Sequence, residues 1–327
     1  MPKKLAIVAA GESELAAGIV AWLKENTSWS IEYLPNSIQH FDDGDTRAKL
    51  AHTIRRRETF VIQDYDIGAQ MKTQLEQMVA AAKICDGRRI TAIAPCWPFA
   101  REDKIAKREP AFAANCVRDI ENAGAKQLVA VDLHSPQVRA MGKRQRFENL
   151  SGRKLCREFL LANGLVNEET TVIMVPDDGA IKTCGEFATN LKVPLFFLPK
   201  KRSMDETNQT SRNVLQHLDL TSLTVIVPDD ILSTGGTLIS AVKYAYEHGA
   251  ERVIAFVTHC ILAKDALQKL AGLPKNFLLL TTNSVSRAHL AKDVCQCEIF
   301  DLAPMIAEWI RRFVKGEETS SFLAENN

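Results

Sequence analysis

Short uninterrupted apolar runs alternate along this chain with stretches of helical period, and that alternation constrains the fold more than any other feature. Leu5–Ala10 reads as a buried strand, and Glu12–Asn26 follows with apolar residues at Leu15, Ile19, Trp22 and Leu23. Thr59–Gln63, Arg89–Ala94 and Gln127–Val131 read as further strands, separated by helices over Gln70–Ile84 and Pro110–Asn122. The second half repeats the alternation. Strands are expected at Thr171–Val175, Pro194–Leu198, Leu223–Val227, Arg252–Val257 and Phe277–Thr281, with helices at Ile181–Asn190 and Gly236–Glu247. A strand with no polar alternation is covered on both faces, as in parallel sheets flanked by helices. The expected class is therefore α/β with parallel sheets.

A length of 327 residues allows about two domains. Gly124–His134 aligns with Gly249–His259, each copy reading as a Gly-Ala turn, a buried strand and a histidine. The glycine suits the left-handed position past a helix end. With two halves of similar length, this favours a duplicated α/β domain, 1–150 and 151–327, with the boundary near Phe147–Arg153. The polar stretch Lys201–Asn213 reads as a mobile loop.

Composition removes several function classes. At 46% hydrophobic and 25% charged residues, the chain is not extensively disordered. Its apolar runs are far short of the roughly 20 residues of a membrane span, and Leu5–Ala10 is too short for a signal peptide, so a cytoplasmic protein is expected. Forty-one Lys and Arg against forty Asp and Glu give no polyanion signal, hence no nucleic-acid partner is expected. The eight cysteines read as reduced thiols; only Cys295 and Cys297 are close, with no second pair to complete a zinc site.

The most specific segment is Val225–Thr237. A buried strand ends in Asp229 and Asp230, then Ser233, Thr234, Gly235 and Gly236 form a turn, and a helix begins about Thr237. Glycines let the backbone approach a phosphate, successive N–H groups point at it, and hydroxyls add donors. Paired acids suit vicinal sugar hydroxyls or a hydrated Mg²⁺. The plainer alternative is a strand-to-helix turn capped by Ser or Thr, which accounts for one hydroxyl but not for two acids and two glycines together.

This segment resembles the phosphoribosyl-pyrophosphate signature of type I phosphoribosyltransferases and their relatives. Other segments resemble the ribose-phosphate pyrophosphokinase family in order and spacing over nearly the whole chain: Phe41–Asp45, Pro95–Lys104, Val131–Gln137, Val175–Gly179, Pro199–Arg202 and the tail Ile310–Glu317. The resemblance implies two duplicated phosphoribosyltransferase-like domains. It implies transfer of the pyrophosphoryl group of ATP to ribose 5-phosphate, with Mg²⁺ as cofactor. It places Asp229 and Asp230 on ribose hydroxyls and Ser233, Thr234, Gly235, Gly236 and Thr237 around the 5-phosphate. It assigns Phe41, Asp43 and Asp45 to an ATP site across a subunit interface in a homo-oligomer, with Arg101, Glu102 and Asp103 also facing ATP. It makes His134 and Asp177 metal-site residues and Lys200 and Arg202 catalytic.

The residues also have readings of their own. Arg101 offers a donor fork to phosphate, or a surface ion pair with Glu102 or Asp103. Phe41 is either a packing residue or an aromatic face for adenine. His134 is a ligand or a structural histidine, and His259, with no acid beside it, is read as structural. Lys200 and Arg202 would ordinarily be solvated, but a loop that closes can deliver cations once water is excluded. Departures from the family pattern are Glu102 for Gln, Asp45 for Glu, Cys96 and Trp97 before Arg101, and the basic Gly142–Arg146; Asp177–Ala180 and Ser233–Gly236 read more like archaeal-type members. The departures leave a non-catalytic homologue that co-assembles with a synthetase as one alternative. A phosphoribosyltransferase is another, although no nucleobase hood is recognisable.

Overall fold

A computed structural model describes residues 3–64, 68–143, 146–176, 178–198 and 219–323. By internal contacts the chain divides into two units. Unit 1 is Met1–Gly152 with Asn283–Ser286 and Asp301–Asn327, and unit 2 is Arg153–Thr282 with Arg287–Phe300.

Unit 1 holds β1 (Lys4–Ala9), α1 (Glu14–Asn26), β2 (Ser30–Leu34), β3 (Ile38–His40), β4 (Thr46–Ala48), β5 (Glu58–Ile62), α2 (Gly68–Ile84), β6 (Arg88–Ile93), α3 (Phe112–Ala123), β7 (Gln127–Val131) and β8 (Phe147–Leu150). Unit 2 holds α4 (Arg153–Ala162), β9 (Thr171–Val175), α5 (Ile181–Leu191), β10 (Leu195–Phe197), β11 (Thr224–Leu232), α6 (Gly236–Glu247), β12 (Arg252–Cys260), α7 (Ala266–Ala271), β13 (Leu278–Thr282) and β14 (Gln296–Phe300). The closing helix α8 (Ala303–Lys315) returns to unit 1.

Each unit carries a six-stranded sheet, ordered β2-β1-β5-β6-β7-β8 in unit 1 and β10-β9-β11-β12-β13-β14 in unit 2. Every ladder within the two sheets is parallel. The central strands are buried throughout, as in Leu5–Ala9 and Val253–Val257, all at 0% exposure. Continuous apolar runs are what a sheet covered on both faces requires. The α/β class is as the sequence implies.

Counting the main-sheet strands as they occur, both sheets have the same order, 2-1-3-4-5-6, so the architecture is duplicated. The repeated phrase is nevertheless out of register. Gly124–His134 leads into β7, the fifth strand of its sheet, whereas Gly249–His259 leads into β12, the fourth. Both glycines have positive φ, 138° and 93°, so the phrase records a shared helix-to-strand turn, not equivalent elements. Within Phe147–Arg153, residues Phe147–Leu150 form the edge strand β8, paired to β7.

The return of α8 has a local cause. Its buried stripe Ile306, Ala307, Trp309 and Ile310 covers unit 1, packing on α1. The Trp309 indole Nε1 donates to Glu148 Oε2 at 2.8 Å. Phe313 stacks on Trp309 at 4.8 Å, and the Arg89 guanidinium lies over the Phe313 ring at 4.3 Å. No helix among the described residues is long and apolar enough to cross a membrane.

Candidate active site

In unit 2 the strand order reverses between β9 and β11. Ligand crevices in open α/β sheets form at that position, beyond the carboxyl ends of the strands. The ladder from β11 to β9 runs only from Thr224 to Ile226, whereas the ladder to β12 continues to Leu232. Pro228, which lacks an N–H, stands just past the point where β11 leaves β9, where a missing ladder donor is tolerated.

β11 is longer than the expected Leu223–Val227. Asp229 and Asp230 therefore lie inside its free-edged last stretch instead of at its end, both half-buried. The pairing with β12 prolongs the strand, and that pairing is invisible in local composition. Asp230 donates its amide to Asp229 Oδ1 at 2.8 Å. His259 is 2% exposed, in register with Ile231 on the neighbouring strand, in keeping with a structural residue.

The turn that follows presents its amides and ties down its carbonyls. Ser233 O accepts from the Ala263 amide at 2.9 Å, and Thr234 O accepts from Lys269 Nζ at 2.9 Å. Lys269 also pairs with Asp265 at 3.0 Å. Gly235, φ 75°, is the N-cap residue of α6, and no side chain caps that helix. A Cβ at Gly235 would meet Ile239 Cγ1 at 3.1 Å, so conformation and space both call for glycine. Among the described residues, no hydrogen bond is donated by the amides of Ser233, Thr234, Gly235, Gly236 or Thr237. A turn with bound carbonyls, open amides and a positive helix end is built for an anion. The Ser/Thr-cap alternative fails here, because the cap position is a glycine. Helix α6 spans Gly236–Glu247, the range the apolar pattern gives. Lys269 was not legible as a site residue, since it lies 35 positions from the carbonyl it holds.

The remaining candidates lie in unit 1. Phe41, Asp43 and Asp45 sit on the turn of the antiparallel β3–β4 hairpin, with Phe41 41% exposed. The Phe41 amide donates to Asp45 O at 2.9 Å and the Asp45 amide to Asp43 Oδ1 at 3.1 Å. Arg101, Glu102 and Asp103 follow β6 on a loop closed by the edge-to-face pair Phe99–Phe112, centroids 4.8 Å apart. Phe99 has φ 58°, a conformation that costs an aromatic residue about 1–3 kcal/mol and must be imposed by its surroundings. Among the described residues Arg101 forms no ion pair with Glu102 or Asp103, so the surface-pair alternative is not realised. Nor does a hydrogen bond or ion pair join the hairpin residues to Arg101–Asp103.

His134 follows β7 and is exposed. Asp132, two residues before it, is fully buried with φ 41°, and its Oδ2 accepts from the Gly152 amide at 3.0 Å. Asp177, Lys200 and Arg202 lie outside the described residues. Among the described residues no group of three or more His, Cys, Asp and Glu is gathered as a metal cage. The oxygen donors of Asp229 and Asp230 still suit Mg²⁺, which keeps several waters and takes one or two carboxylates plus substrate phosphates.

Comparison with known proteins agrees with this layout. Residues 6–124 match the family described as the N-terminal domain of ribose phosphate pyrophosphokinase, and residues 153–272 match the phosphoribosyl transferase domain. Ribose-phosphate pyrophosphokinase 3 of Saccharomyces cerevisiae is 30% identical over 280 residues, covering 85% of this chain and 85% of that protein. Ribose-phosphate pyrophosphokinase of Thermosipho africanus is 30% identical over 281 residues, covering 85% and 86%. The crystal structure of phosphoribosylpyrophosphate synthetase from Mycobacterium smegmatis superposes with a TM-score of 0.81 at 27% identity, over 97% of this chain and 100% of that one. With two-thirds or more of such relatives covered, the chain belongs to the ribose-phosphate pyrophosphokinase family.

Proposed function

We propose that the protein transfers the β,γ-pyrophosphoryl group of ATP to the 1-hydroxyl of ribose 5-phosphate, forming phosphoribosyl pyrophosphate and AMP. The observation that carries this reading is the Asp229–Thr237 strand, turn and helix start at the reversal point of the second sheet, with open amides beside paired acids. The 1-hydroxyl oxygen bonds to the β-phosphorus, the bond from that phosphorus to the α,β-bridging oxygen breaks, and AMP departs with the oxygen while the hydroxyl proton is lost to solvent. Such a reaction asks the protein to position two substrates and to neutralise charge.

The Asp229 and Asp230 carboxylates accept hydrogen bonds from the ribose hydroxyls. Amides of the Ser233–Thr237 turn and the Thr237 hydroxyl hold the 5-phosphate. Phe41 offers a ring face to the nucleobase, and Asp43, Asp45, Glu102 and Asp103 line the nucleotide's surroundings. Arg101 offers its donor fork to the polyphosphate. Lys200 and Arg202 stabilise charge on the transferring group, and His134 and Asp177 serve the metal. When bound, Mg²⁺ screens the phosphate oxygens and orients the transferring group.

The exposure of Phe41, and the lack among the described residues of any hydrogen bond or ion pair from its hairpin to Arg101–Asp103, support a hairpin that completes the ATP site of a second copy in a homo-oligomer. The substrates and the absence of any spanning helix among the described residues suit a cytoplasmic enzyme.

The test is direct. Purified protein with ATP, Mg²⁺ and ribose 5-phosphate is expected to yield AMP and phosphoribosyl pyrophosphate in equal amounts. ADP as the nucleotide product, or no turnover at all, would overturn the reading.

A further inference from the structure

The β3–β4 register pairs Ile38 with Ala48, Gln39 with Arg47 and His40 with Thr46. One step further, Phe41 stands opposite Asp45, closed by the Phe41 N–H to Asp45 O bond. Side chains alternate across a strand, so Phe41, Asp45 and Arg47 share one face and Thr46 and Ala48 the other. The second face is fastened down: the Thr46 hydroxyl donates to Gln77 Oε1 at 3.1 Å, and Gln77 Nε2 donates to Thr46 O at 2.9 Å, tying the hairpin to α2. The first face is exposed, and on it Arg47 lies diagonal to Phe41.

The Arg47 guanidinium lies over the Phe41 ring, 4.9 Å from its centroid. Asp42, Asp43 and Asp45 are close in sequence, yet among the described residues Arg47 forms no ion pair or hydrogen bond with any of them. A guanidinium is weakly hydrated on its faces and stacks on aromatic rings, which an ammonium does less well. One face of Phe41 is thus covered within its own hairpin, while the residue as a whole stays 41% exposed.

We propose that Arg47 is a positioning residue for ATP: it holds the exposed Phe41 ring in one orientation and leaves a single face for the nucleobase. This rests on the reading of Phe41 as a nucleobase contact. A ring already ordered loses less freedom when the nucleotide arrives, so the benefit appears in substrate affinity and not in the chemical step. The rival role, a cation attracting the polyphosphate by charge alone, does not need the ring.

The experiment measures AMP formation at saturating Mg²⁺ and ribose 5-phosphate for the unaltered protein, Arg47→Ala, Arg47→Lys, Phe41→Ala and the double variant. An exposed cation–ring contact corresponds to an expected rise in KM for ATP of about two- to fivefold in Arg47→Ala, with kcat and KM for ribose 5-phosphate moving less. Arg47→Lys is expected to lie between, and Arg47→Ala to add nothing in the Phe41→Ala background. An equal rise in both backgrounds, or no rise in Arg47→Ala, overturns the proposal and leaves the reading of Phe41 intact. An unchanged KM for ATP in Phe41→Ala removes that reading and the proposal with it, while AMP production by the unaltered protein still decides the overall reaction.

Discussion

Lys269 Nζ donates to the carbonyl oxygen of Thr234 at 2.9 Å, holding the anion turn from outside. With that carbonyl held, the planar trans peptide directs the Gly235 N–H away from Lys269. Lys269→Met keeps much of the stem and removes the donor. A net hydrogen bond is worth about 0.5–1.5 kcal/mol, so KM for ribose 5-phosphate is expected to rise roughly two- to tenfold with little change in KM for ATP. A change in both, or in neither, would show that the brace does not serve the 5-phosphate.

Thr237 and Gly235 test the same turn from inside. On the proposal that the Thr237 hydroxyl holds the 5-phosphate, Thr237→Ala removes a hydrogen bond to a charged group, worth about 1.5–3 kcal/mol, and a loss of roughly tenfold to a hundredfold in ribose 5-phosphate affinity is expected. Gly235→Ala forces a side chain into φ 75° with Ile239 Cγ1 at 3.1 Å from its Cβ, so the turn must move. Its affinity loss should be at least as large, with the thermal midpoint only slightly lowered. Unchanged kinetics in both variants would remove the phosphate from this turn.

Gly18 on α1 reports on the closing helix. A Cβ there would sit 2.8 Å from Ala303 Cβ at the start of α8. Alanine gains about 1 kcal/mol of helix propensity over glycine, while overpacking costs about 1–3 kcal/mol. Gly18→Ala is therefore expected to be neutral to destabilised by about 2 kcal/mol, and Gly18→Val clearly worse. Denaturant midpoints that rise in both variants would show that the two helices separate without cost.

Acid should loosen α8. The Arg311 hydrogen bond, with Arg312 beside it, outweighs burial and pulls the Glu308 carboxyl from 4.5 down to about 2. The folded value is depressed, so the stabilisation is complete above the unfolded value of 4.5 and is lost as pH falls towards about 2. The site is partly exposed, so salt should weaken the effect. Urea titrations across that window should show the loss in the unaltered protein and a flatter profile in Glu308→Gln. Identical profiles would remove Glu308 as a source of acid sensitivity.

How much was legible in the chain differs between elements for physical reasons. Leu5–Ala9, Phe60–Ile62, Val225–Val227 and Val253–Val257 are buried on both faces, and that condition writes itself locally as an unbroken apolar run. The turn between β11 and α6 was equally legible, because its glycine is required by its own backbone at φ 75°. The strands β2, β3, β4 and β14 were not expected: their residues are largely exposed or half-buried, so no run or alternation marks them. Nor was β8, which is buried but holds only the apolar Phe147 and Leu150, too few to mark a run. The length of β11 escaped for a related reason, since its last residues are held by β12 and not by their own apolarity.

The α/β class, the central strands and the strand-turn-helix form of Asp229–Thr237 are properties of neighbouring residues and can be read from the chain alone. The folded chain adds that both sheets reverse order at the same relative strand, that Phe41 meets Arg47, that Lys269 reaches Thr234 and that α8 packs on α1. Apart from Phe41 and Arg47, which share one hairpin, these depend on surfaces brought together from distant positions, and the side-chain contacts depend on whether a cation finds a ring, a carbonyl or water. A list of residues holds no such distances, so the same lysine or arginine reads as solvated charge until the fold sets its partner beside it.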